Sequence, residues 1–80
     1  MTARNDSELS ADERIWEEVR DRLMGHPDID AIEVEIEVEE AEVTLVGRVD
    51  SREAKWLAEE VTRAVPGVQG VHNRLKVARW

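Results

Sequence analysis

Four glutamates recur at every second position, Glu33, Glu35, Glu37 and Glu39. On an extended strand that spacing puts all four carboxylates on one face, about 6.6–6.8 Å apart. Carboxylates could hold a divalent cation or share a proton. Calcium, however, takes six or more oxygens from loops that curve around it. A straight strand sets its carboxylates in a row and encloses nothing, so no metal site is expected here. The row reads as a solvated face, partly neutralised by Arg48 on a second strand and by His72, Arg74 and Lys76 on a third. It also discourages edge-to-edge pairing with another sheet.

His26 and His72 have no cysteine partners, and a histidine metal centre needs three or four converging ligands. No Ser-His-Asp set, Cys-His pair or glycine-rich phosphate loop is present. The many carboxylates lack the pocket that would move one of them to a catalytic pKa. No catalytic residue and no cofactor is expected, so the chain reads as non-enzymatic. Trp56 is the strongest interaction candidate. It lies roughly 150° from the centre of its helix's apolar stripe, by the 100° advance per residue, beside Lys55 and Glu59. Tryptophan in water is uncommon and is enriched at binding hot spots and membrane interfaces. Arg63 joins Lys55 as a nearby cation. Trp16 borders the stripe of the first helix and is expected to be semi-buried core, while Trp80 is terminal.

The elements that carry these residues follow from periodicity. Residues 1–8 have none and read as a flexible tail, with one domain over 9–80. Ser10 and Glu13 form a capping box. Ile15, Val19 and Leu23 follow at spacing four, then Gly25 and Pro27 end the helix. From Ile32 the period becomes two, with Val34, Ile36 and Val38 facing in. Glu40-Ala41-Glu42 marks a hairpin without the usual Asn-Gly signal, and Val43, Leu45 and Val49 resume the alternation. Gly47 within that strand implies a bulge or the close approach of a packed helix. Asp50 starts a second helix, with Glu53 as its capping-box partner. Ala54, Leu57, Ala58, Val61, Ala64 and Val65 form its stripe, and Pro66-Gly67 stops it. Val71, Leu75 and Val77 face inward on a last strand.

The order helix, strand, strand, helix, strand gives an α+β fold. Both helices should cover one face of a three-stranded mixed sheet, with a right-handed crossover making strands two and three parallel.

Eighty residues allow one domain and leave little room for a core and a deep cavity together. Nineteen acidic residues against eleven basic give a net charge of −8, which repels nucleic acid and, at long range, anionic lipid. Cysteine is absent, which excludes disulfides and thiolate chemistry. No apolar run is long enough to span a bilayer, and residues 1–14 contain no signal-peptide core. The expectation is therefore cytoplasmic by default, or periplasmic if the chain is cut from a longer precursor.

Several pieces stand in a fixed order: His26-Pro27-Asp28-Ile29-Asp30, then Val43-Thr44-Leu45-Val46-Gly47-Arg48-Val49, then Asp50-Ser51, and last Pro66-Gly67-Val68 with Val71 and Asn73. In that order and spacing the chain resembles, over about residues 11–77, the BON domain, a bacterial module of osmotically induced periplasmic and membrane-associated proteins. One departure is Ala41, where the family usually has glycine at the hairpin. The resemblance implies an α-β-β-α-β fold without catalytic residues. It also implies phospholipid or membrane-interface binding, or protein contacts within envelope assemblies, and association with osmotic stress. The leading expectation is a module for protein contact or self-association. Peripheral phospholipid binding is the alternative, and a cation response through the glutamate row comes third.

Overall fold

The computed structural model describes residues 10–31 and 33–78. The tail over 1–8, Ile32 and Trp80 lie outside the described residues. The elements are α1 (Ala11–Met24), β1 (Val34–Glu39), β2 (Glu42–Val49), α2 (Arg52–Arg63) and β3 (Gly70–Val77), in the expected order. The sheet order is β1-β2-β3. β1 runs antiparallel to β2, in an unbroken register from Val34 opposite Gly47 to Glu39 opposite Glu42. β3 runs parallel to β2.

α1 starts where its sequence says it must. The Ser10 hydroxyl accepts from the Glu13 N–H at 3.1 Å, and the Glu13 carboxylate accepts from the Ser10 N–H at 3.0 Å. α2 starts one residue later than expected. Ser51 is its N-cap and accepts from Ala54 N–H at 3.0 Å. Asp50 is outside the helix, so Glu53 has no capping box to close. A hydroxyl one position closer to the helix takes the cap.

α1 lies against β1, α2 lies against β3 and β2, and the two helices touch each other. Ile15, Val19 and Leu23 of α1 meet Val43, Leu45 and Val49 of β2, Leu75 of β3, and Ala54 and Ala58 of α2 in one buried cluster. The buried line of α2 continues through Thr62 and not through Ala64, which is exposed. Thr62 is wholly buried because its hydroxyl donates to the Ala58 carbonyl at 2.7 Å, which satisfies the polar atom within the helix.

The hairpin turns on Glu40 and Ala41, both with positive φ, at 51° and 67°. A two-residue turn of this hand normally takes Asn or Gly, because an L side chain there costs about 1–2 kcal/mol per residue. Asp12, in the first turn of α1, supplies the compensation. Its two oxygens accept from Glu40 N–H and Ala41 N–H, each at 2.9 Å. Asp12→Ala should therefore destabilise the domain by about 1.5–3 kcal/mol, the range for hydrogen bonds to a charged group. Hydrogen exchange should quicken first at the Glu40 and Ala41 amides. Unchanged exchange there would show that the turn holds without α1.

Gly47 does answer to a close approach, but by a strand and not a helix. Its φ is 126°, and a Cβ built on it would lie 1.9 Å from the Glu33 carbonyl oxygen. There is no bulge between Val34 and Glu39.

Candidate functional site

The glutamate row stands on the face of the sheet opposite the helices, as its alternation with half-buried Val34, Ile36 and Val38 requires. The expected neutralisation by β3 does not occur. β2 lies between β1 and β3, so the acidic row and the His72–Lys76 side of β3 are about 9–10 Å apart, two strand spacings. Arg48 reaches Glu33 at 3.0 Å. His72 pairs instead with Glu42 of β2 at 2.7 Å. Glu35, Glu37 and Glu39 form no ion pair among the described residues. The open face is thus polarised, acidic along β1 and basic along β3. No group of three or more His, Asp or Glu among the described residues could hold a metal ion.

Trp56 is 59% exposed, as its wheel position demands. Arg63, two turns further on the same face, is held by Glu59 at 2.6 Å and lies 3.9 Å from Glu60. Lys55 is half-buried at the margin of α2. The residues about Trp56 therefore balance, with Arg52, Lys55 and Arg63 against Glu53, Glu59 and Glu60. The structure places Lys55, Trp56 and Arg63 on one helix, but Arg63 is engaged by carboxylates.

Trp16 departs from its expected semi-buried place. It is 39% exposed, because α1 sits over β1 at the edge of the sheet and none of the described residues covers its outer flank. Its indole N–H donates to the Ile36 carbonyl of β1 at 3.0 Å, and the Arg20 guanidinium lies 5.8 Å from its ring centre. Trp16, Leu23, Met24, Ala31, Val34 and Ile36 line a groove of about 540 Å³ between α1 and β1, which Arg20, Glu35 and Glu37 also border. Met24 is 59% exposed beside it. Sequence reasoning missed this groove, since wheel position alone does not say which helix flank meets the sheet's edge. The strand order that puts β1 at the edge beside α1 is set by which elements become neighbours, and no local pattern signals it.

Asn73 was also missed as a positioning residue. Its amide donates to the Lys55 carbonyl at 2.9 Å and to Glu59 at 3.2 Å, while its oxygen accepts from Leu75 N–H at 3.2 Å. It ties α2 to β3 and occupies part of the β3 edge. The signal was a polar residue at an inward position of an alternating strand.

None of the described helices is long and apolar enough to cross a membrane. A comparison with curated proteins finds no match. The model of the BON domain family matches residues 11–79, most of the chain. The chain belongs to the BON domain family.

Proposed function

We propose that this domain is a protein-interaction module, making contacts within a larger assembly or chain, whose principal surface is the groove between α1 and β1. The observation that carries this reading is the distribution of exposed apolar side chains. Of the three large hydrophobic residues left exposed among the described residues, Trp16, Met24 and Trp56, two gather at that groove. Small soluble domains rarely leave such groups clustered unless something covers them. Family membership is in keeping with a binding role.

Trp56 serves as a second contact, with Lys55 and Arg63 at its margin. A protein surface suits it better than an anionic bilayer. Its neighbours carry three charges of each sign, and the whole chain carries −8. Anionic lipid would gain about 1 kcal/mol for each nearby cation, but the paired Arg63 contributes little to that sum.

Two measurements separate these partners. Photo-cross-linking from positions 24 and 56 in cells should give discrete protein adducts, strongest from position 24. Flotation with phosphatidylglycerol and phosphatidylcholine vesicles at low salt should leave the domain unbound. Co-flotation abolished by Trp56→Ala would replace this reading with membrane-surface binding.

A further inference from the structure

We propose that the β1 edge accepts an added β-strand from a partner protein, an extended segment in which aliphatic residues alternate with Lys or Arg. This rests on the protein-binding reading and names the chemistry of the partner.

The argument begins with the backbone. In an antiparallel pair, alternate residues direct their N–H and C=O groups toward the neighbouring strand and the others direct them away. The Glu33 carbonyl accepts from Arg48 N–H of the β2 segment at 3.3 Å, so the odd residues of β1 face β2. Val34, Ile36 and Val38 then present their groups outward. Trp16 takes the Ile36 carbonyl, and Val34 N–H donates to Ala31. The Val34 carbonyl, the Ile36 N–H and both groups of Val38 remain directed away from the sheet.

The side chains say what kind of strand fits. One face of an added strand would lie over the groove beside Trp16, Met24 and Val34, and takes aliphatic residues. The other face would stand next to Glu35, Glu37 and Glu39, which have no cationic partner among the described residues. Directly opposite charges on neighbouring strands attract and like charges repel. Apolar-basic alternation satisfies both faces at once, and apolar-acidic alternation satisfies only one.

A second copy offers such a strand in β3, where Arg74 and Lys76 alternate with Leu75 and Val77. The width of the helix layer disfavours it: two packed helices need roughly 16–20 Å, whereas three strands supply roughly 14 Å, so α1 and a neighbouring α2 would collide in a continued sheet. A lone partner strand brings no helix with it.

The probe is a capped seven-residue peptide, Val-Lys-Val-Arg-Val-Lys-Val, titrated into the ¹⁵N-labelled chain beside its counterpart with Glu at the three basic positions. The basic peptide should shift and slow exchange at the Ile36 and Val38 amides, bind about tenfold more tightly than the acidic one, and weaken as salt rises. The surface double variant Glu35→Lys/Glu37→Lys should reverse that preference. Equal binding of the two peptides, or binding of neither, overturns the strand site. So does a basic peptide that perturbs amides around Trp56 and leaves β1 unmoved, a result that would keep the protein-binding reading. Sedimentation that finds self-association, lost in the double variant, assigns the edge to a second copy and also overturns the proposal.

Discussion

Gly47→Ala should unfold most of the population or come close to it. A domain of this size holds roughly 4–12 kcal/mol of stability, at about 0.05–0.15 kcal/mol per residue. Two terms subtract from it. The first is backbone strain, because an L residue at φ of 126° is costly, by about 1–3 kcal/mol. The second is collision. The new methyl would sit 1.9 Å from the Glu33 oxygen and 3.0 Å from its carbonyl carbon, both backbone atoms that no side-chain rotation can move. β1 must shift by more than 1 Å, which breaks the bond from Arg48 N–H to Glu33 and the first pair of the register. We expect a combined loss of at least about 3 kcal/mol, with collision as the larger share. Gly70→Ala is the control. It has no positive φ, its nearest neighbours are the flexible end of Glu42 at 3.7–3.8 Å, and its effect should stay within about 0.5 kcal/mol. Urea denaturation of both variants checks the pair. Equal midpoints would mean that the β1–β2 approach carries no such constraint.

Leu45→Ala should cost about 2–5 kcal/mol, the range for emptying a fully buried leucine site. Leu45 is completely buried on the central strand, with Ile36 of β1 and Asn73 of β3 as its Cα partners. Helices cover it from above, so neither neighbouring strand can collapse into the space without breaking register. Val46→Ala, one residue on and facing the open side of the sheet, should cost less than about 1 kcal/mol. The midpoint should fall with the denaturant slope unchanged, since the same surface is exposed on unfolding. A similar loss from both substitutions would place the core on the wrong face of β2.

Both predictions depend on which parts of this fold are local and which are not. The alternation from Val34 to Val49 was readable from side-chain type alone, because a period of two allows one buried face. The α1 cap was readable for the same reason, since Ser10 and Glu13 satisfy each other within one turn. The start of α2 was misplaced by one residue because Asp50 and Ser51 are both good caps. Thr62 was missed although its signal is local: a helical threonine can satisfy its hydroxyl on the carbonyl four residues back and so take a buried position. The glycine-free hairpin could be located but not explained: Asp12, 28 and 29 residues away, holds it.

The sequence by itself determined the element order, the parallel return of β3, the inward face of each strand and the exposure of Trp56. Each of these depends on spacing within one element or on the length of one connection. Tertiary structure decided that β2 separates the acidic row from the basic strand, that a strand and not a helix crowds Gly47, and that Trp16 closes onto an open edge. Those outcomes depend on which elements become neighbours, and neighbourhood is set by the joint burial of both helices and the sheet.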